Sequence, residues 1–229
     1  MKRLSTLLSI GIALLGATVT GNAQIYTGGI VPDRSTLNSI LAGYGSVTEN
    51  FEAISLPPNV GQIGPAVLNS TTHFDGWGPG LVVPGVTFSA VSGDLQWNGA
   101  GYYGQPSKDI CSSSSTIEID FSNPTPAFGL DLLVFAGFGD NANVNVYGAD
   151  NTTLLANISG ISISDPSSPV FFGYQDSAGI GMVQIQSTVH SWSPLIDNVT
   201  FATVPEPSVP ALLAVAFLLA SMSVRRRPT

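Results

Sequence analysis

Apolar and polar positions alternate with a two-residue period over much of this chain. Thr116–Phe121 sets Ile117, Ile119 and Phe121 against Glu118 and Asp120, the pattern of a strand with one buried and one wet face. Asn143–Tyr147 repeats it with Val144 and Val146 on one side, while 127–136 is more continuously apolar and reads as a central strand. Further strands are expected at 46–54, centred on Asn50–Ile54, and at 85–90 and 94–98 as a pair turning near Ser92-Gly93. Others are expected at 153–163, 170–174, 182–186 and 195–201, with Gly, Pro, Asn, Asp and Ser between them. The pattern changes period once, at 33–43, where Leu37, Ile40 and Leu41 share a helical face. Asp33 or Ser35 can cap that helix and Gly43 can end it. The expected fold is all-β: an antiparallel two-sheet β-sandwich, jelly-roll-like, with one short N-terminal helix and a C-terminal hydrophobic helix. Residues 59–80, glycine- and proline-rich around His73, Phe74 and Trp77, are the least regular stretch and read either as a functional loop or as plain surface.

Two apolar runs do not belong to this pattern. Lys2 and Arg3 precede an apolar stretch from Leu4 to Val19, and Gly21 and Ala23 stand before Gln24. That is the order of a secretory signal peptide over 1–23, which leaves 24–203 as the exported sandwich domain. The second run, Val209–Val224, would span ~24 Å as a helix against ~30 Å of bilayer hydrocarbon, a short span suited to a thin membrane. Arg225, Arg226 and Arg227 would remain cytoplasmic, placing the main domain on the far side.

Charge narrows the partners. Arg34 and Lys108 are the only basic residues between the two ends, yet this part holds all of the chain's 15 acidic residues except Glu206. It is therefore more acidic than the −8 of the whole chain. Nucleic acid and anionic lipid surfaces are disfavoured, and cation binding is permitted. Cys111 is the single cysteine, so no internal disulfide forms; it reads as an incidental loop or strand-edge residue without the electropositive setting of a catalytic thiol. His73 and His190 have no metal-ligand spacing, and neither a nucleophile elbow nor a phosphate loop is present. Glu118 and Asp120 share a strand face, but nothing in the sequence sets them across a cleft as a glycosidase requires. The expectation is a protein that is not an enzyme, with no catalytic residues. Asn69, Asn151, Asn157 and Asn198 head Asn-x-Ser/Thr triplets, read as coincidence in an Asn- and Thr-rich chain.

The last 26 or so residues carry a resemblance. Val204, Pro205, Glu206, Pro207 and Ser208, then the apolar helix over about 208–224, then the arginine cluster at 225–227, resemble the PEP-CTERM sorting signal (204–229) of exopolysaccharide-producing Gram-negative bacteria. The resemblance implies recognition by an exosortase, a membrane protease-transpeptidase acting near the Pro-Glu-Pro step. It implies transient membrane residence through the helix, then release to the cell surface or extracellular matrix. Without processing, the tail would act as a membrane anchor.

A looser resemblance covers the middle: Asp33-Arg34, Glu49-Asn50-Phe51-Glu52, Gly85-Val86-Thr87-Phe88, Asp120–Pro124 into Ala127–Asp131, Phe171-Phe172-Gly173, and Ile196-Asp197-Asn198-Val199-Thr200-Phe201. It is similar to an exported domain of PEP-CTERM proteins and, in outline, to carbohydrate-binding jelly rolls. In those jelly rolls a first-strand Glu and a last-strand Asp share a structural calcium ion. The matching positions are Glu52 and Asp197, with Asn50 and Asn198 as weaker oxygen donors. Glycan contacts would fall on aromatic residues rimmed by amides. Trp77, Trp97, Tyr102, Tyr103 and Trp192 are the candidates, Trp97–Tyr103 being the most suggestive stretch, although Trp97 could equally be core. The implied role is an exopolysaccharide-associated or carbohydrate-binding module. The alternative is a structural coat or adhesion protein without a specific glycan site.

Overall fold

The computed structural model describes residues 28–75 and 78–203. The expected signal peptide, the sorting signal with its hydrophobic helix, and Trp77 lie outside the described residues. In chain order the elements are β1 (Gly29–Ile30), α1 (Arg34–Leu41), β2 (Gly45–Glu49), β3 (Gly61–Ile63), β4 (Val67–Asn69), β5 (Val86–Ala90), β6 (Leu95–Asn98) and β7 (Asp109–Ser112). They continue as β8 (Thr116–Leu133), β9 (Asp140–Gly148), β10 (Leu154–Ile163), β11 (Val170–Ser187) and β12 (Leu195–Thr203). Every pairing is antiparallel, and hydrogen bonding links the 12 strands continuously. Among the described residues no helix is long and apolar enough to cross a membrane.

Two strands of 18 residues, β8 and β11, organise the molecule. Their outer ends pair as Ile117↔Ile185 and Ile119↔Val183, and their other ends as Phe128↔Tyr174 and Leu130↔Phe172. Between these stretches the register shifts, Gly179 takes φ +95°, and Ser122, Asn123 and Pro124 are exposed. A register shift with a left-handed glycine bends a strand sharply. The first stretch of β8 pairs with β5, and the matching stretch of β11 with β9, which carries β10; β4 closes the other edge on β5. The second stretches carry β12 and β1, and β12 leads through β7 and β6 to β3, with β2 on its C-terminal half. One apolar core joins the two layers: Ile117, Ile119, Val144, Val146, Val183 and Ile185 from the first meet Trp97, Ile110, Leu130, Leu132 and Ile196 from the second.

Several expectations need correction. The segments 116–121 and 127–136 belong largely to one strand, as do 170–174 and 182–186. Strands β5 and β6 do not form a hairpin; β5 joins β8 and β4, while β6 joins β7 and β3. The first long strand ends at Glu49, and Phe51 has φ +54°. The chain turns there because the Glu49 carboxylate accepts from the Phe51 N–H at 2.6 Å and from the Val83 N–H at 2.7 Å. Glu52 therefore sits in a turn, not on a strand. Cys111 lies in β7, between β6 and β12, and is fully buried, so the loop or edge expectation fails; burial pushes its thiol pKa up.

The helix forms as expected. Asp33 is its N-cap, accepting from the Thr36 N–H at 2.7 Å, and Leu37, Ile40 and Leu41 are buried. It lies on the outer face of the second layer, against Ala127, Ala202 and Phe171. Gly129 permits this approach: a Cβ there would stand 2.7 Å from Leu37 Cδ2 and 2.8 Å from the Phe171 ring.

Candidate functional site

Two features share the outer face of the second layer with the helix. The first is a row of polar side chains in register. Asn98 pairs with Asp109, and because Ile196 pairs with Ile110, Asp109 faces Asp197; Asp197 pairs in turn with Asp131. Three aspartates thus stand side by side on β7, β12 and β8. Directly opposed like charges destabilise a sheet unless they are neutralised.

The domain's two cations act here. The Arg34 guanidinium binds Asp131 Oδ1 at 2.7 Å and Thr200 Oγ1 at 3.1 Å, and lies 5.2 Å from the Phe171 ring centre. The Lys108 ammonium donates to the carbonyls of Ile54 at 2.7 Å and Glu52 at 3.1 Å, and lies 3.2 Å from Glu52 Oε2. Asp197 accepts from Ser107 Oγ and from the Asn198 N–H. Its pKa is still raised to about 6, by burial first and then by Asp131 and Glu52. Asp109 is fully buried; Oδ1 accepts from Asn98 Nδ2 at 2.8 Å while Oδ2 has no partner, and burial pushes the pKa well up.

These contacts do not fit a calcium ion shared by Glu52 and Asp197. The oxygens that Glu52 and its turn would offer are already held by Lys108. Among the described residues no three acidic, thiol or imidazole side chains are grouped to hold a metal. The lysine supplies the positive charge that a cation would bring. Melting temperature is accordingly expected to be the same in millimolar calcium and in EDTA. Lys108→Met should lose about 1–3 kcal/mol, mostly from the carbonyl hydrogen bonds, because the Glu52 side chain is nearly half exposed. Thermal melts of both proteins in both buffers check this.

The second feature is an aromatic cleft of about 370 Å³, lined by Gln96, Tyr103, Cys111, Ser112, Ser113, Phe135, Phe138 and Trp192. Of its lining, Cys111 and Phe135 belong to a small apolar cluster with Leu133 and Leu195, separate from the main core. Tyr103 and Trp192 each meet Phe135 edge-on, at 4.2 and 5.3 Å between ring centres. Beside the cleft the His190 ring stacks on Trp192, 4.8 Å away and 7° from parallel, and is held by a 2.9 Å contact between Nε2 and the Gly139 carbonyl. Phe138 leans edge-on against both and is 50% exposed. The Trp192 indole N–H is buried and unpartnered.

The expected aromatic residues divide. Trp97 is core: it is 3% exposed, packs edge-on against Phe51, and donates from Nε1 to the Phe51 carbonyl at 3.1 Å. Tyr102 covers the Gly61 backbone and meets Tyr103 edge-on at 4.2 Å, but does not line the cleft. Tyr103 and Trp192 do line it. Phe135, Phe138, His190 and Gln96 were not anticipated; the available signal was a cluster of large rings in otherwise Gly- and Ser-rich loops at 135–139 and 189–193.

No family model and no curated protein matches this chain. Among solved structures it is distantly similar to the K2 cleaved adhesin domain of Lys-gingipain (TM-score 0.33, 14% identity, covering 69% of this chain and 100% of that one). It is as distantly similar to the catalytic domain of a GH87 α-1,3-glucanase in complex with tetrasaccharides (0.33, 10%, 72% and 30%). A family 29 carbohydrate-binding module gives 0.28 at 13% identity, over 63% of this chain and 90% of the module. Likeness at this level is too slight to carry a ligand or a mechanism across.

Proposed function

We propose that this chain is an exported, jelly-roll-like, non-enzymatic protein of the cell surface or extracellular matrix. In this reading an exosortase sorts it at the PEP-CTERM signal, and the aromatic cleft binds exopolysaccharide. The observation that carries the binding reading is the Trp192–His190–Phe138 group beside a lined cleft. An exposed ring offers a flat apolar surface to the C–H face of a sugar. Gln96 and the exposed Ser113 at the rim can take the sugar hydroxyls. Neither cation of the domain lines the cleft, which favours an uncharged sugar.

The test is co-sedimentation of the protein with insoluble neutral glucans. Wild type should pellet with the polymer, and Trp192→Ala should weaken capture at least tenfold, while Tyr102→Ala should bind as wild type. Equal capture of the Trp192 variant would overturn the assignment of the cleft. For sorting, intact mass from the native host decides: a chain ending near 204–207 in the extracellular fraction supports release. A chain reaching Thr229 and found only in membranes would make the tail an anchor.

A further inference from the structure

The opposite side of the sandwich presents a different surface. On the first layer the in-register row Asn157–Asn145–Gln184–Glu118–Ser89 crosses β10, β9, β11, β8 and β5. The next row along the strands holds Tyr147, Met182, Asp120 and Thr87, and a third holds Asn143, Gln186 and Thr116. These residues alternate with Val144, Val146, Val183, Ile185, Ile117 and Ile119, which fill the core, so all three rows face away from it.

The side chains are oriented by each other. Tyr147 OH donates to Gln184 Oε1 at 3.0 Å, Gln184 Nε2 donates to Glu118 Oε1 at 2.6 Å, and Asn157 donates to Asn145 Oδ1. Each amide keeps capacity in reserve: Gln184 has a second N–H, and Asn145 has both. Fixing these rotamers beforehand lowers the entropy that a ligand must overcome.

We propose that this amide face is a second polysaccharide-contact surface for an uncharged, hydroxyl-rich chain, and that the protein bridges two polymer chains through its opposite faces. The proposal rests on the cleft as the first contact. Charge selects the occupant: the face carries Glu118 and Asp120, and both basic residues of the domain, Arg34 and Lys108, are engaged on the other layer. An anionic polymer would therefore be repelled. Spacing fits as well, because neighbouring strands lie ~4.8 Å apart, close to the length of one sugar unit in an extended chain. A polymer lying across the strands would meet a fresh amide, carboxylate or hydroxyl at each unit. One molecule with two contacts on opposite sides cross-links polymer chains without dimerising.

A bridging assay on the full chain in detergent tests this. Protein is captured on beads carrying a neutral glucan, washed, and offered fluorescent dextran or hydroxyethylcellulose. Wild type should recruit the label, with no recruitment of labelled alginate. The double variant Asn145→Leu with Gln184→Leu should remain captured through the cleft but recruit at least tenfold less label. Trp192→Ala should also fail to bridge, while retaining weak capture through the amide face. If the double variant bridges as well as wild type, or wild type does not bridge, the inference is overturned. If Trp192→Ala is captured and bridges undiminished while the double variant is lost, the cleft reading fails and the amide face stands as the binding surface.

Discussion

Glu49→Ala is expected to be among the most destabilising single changes to this domain, lowering the unfolding free energy by about 2–6 kcal/mol. The side chain is 2% exposed at the end of β2, and its two oxygens take the N–H groups of Phe51 and Val83. Each buried donor left without an acceptor costs ~1–3 kcal/mol. The loss also releases the turn that holds Phe51 at φ +54°, and Phe51 is fully buried between Phe88 and Trp97. Burial raises the Glu49 pKa although three backbone N–H groups oppose that shift, so the carboxylate is anchored at an electrostatic cost. Glu49→Gln keeps one acceptor and should lose about half as much. Chemical denaturation of the three proteins checks the order; a loss below ~1 kcal/mol for the alanine variant would show that water or a rearranged turn replaces the carboxylate.

This residue also shows how far the sequence could be read. Alternation revealed the half-buried strands at 116–121 and 143–147 because solvent on one face imposes a period of two. The helix was legible from Asp33 and the Leu37–Ile40–Leu41 stripe. Pairing was not legible. The polar stretch 122–124 and the stretch 176–179 read as breaks, yet the strands continue through them around a corner, and local composition cannot distinguish a bend from an end. Phe51 reads as a strand residue by type; what turns it is a side-chain contact from Glu49 joined to the distant Val83.

The candidate sites divide along the same line. Trp192 and Tyr103 could be suspected as rings in polar loops, whereas the cleft needs Phe135 and Phe138 brought beside them by the strand order. Glu52 and Asp197 were paired by resemblance, and the structure gives Glu52 to Lys108 instead. The aspartate row on β7, β12 and β8 was invisible, since its members are 22 to 88 residues apart and only register aligns them.

That row leads to the second large effect, a stability that falls as pH rises. Folding raises the pKa of Asp197 from its ordinary 3.8 to about 6, and raises that of Asp109 well above the same value. Between the ordinary and the raised value the folded state holds more protons than the unfolded chain, so stability declines with increasing pH across that window. For Asp197 alone the window runs from about pH 4 to pH 6 and amounts to roughly 3 kcal/mol. Glu49 and Asp120 shift in the same direction, while Asp33, Asp150 and Asp165, whose pKa values are lowered, oppose it only at more acid pH. Unfolding free energy should therefore be higher at pH 5 than at pH 7.5. Asp109→Asn should raise stability at pH 7.5 and flatten the profile. The amide keeps an oxygen for Asn98 Nδ2, removes a buried charge, and places an N–H₂ where Oδ2 has no partner, on a residue in register with Asp197. Removing a buried charge that is not fully paired is stabilising when the replacement preserves shape and hydrogen bonding. Denaturation curves at four pH values for wild type and Asp109→Asn settle the matter: a wild-type profile that rises from pH 5 to pH 7.5, or a variant less stable than wild type at pH 7.5, would mean that the aspartate row is neutralised by something other than protons.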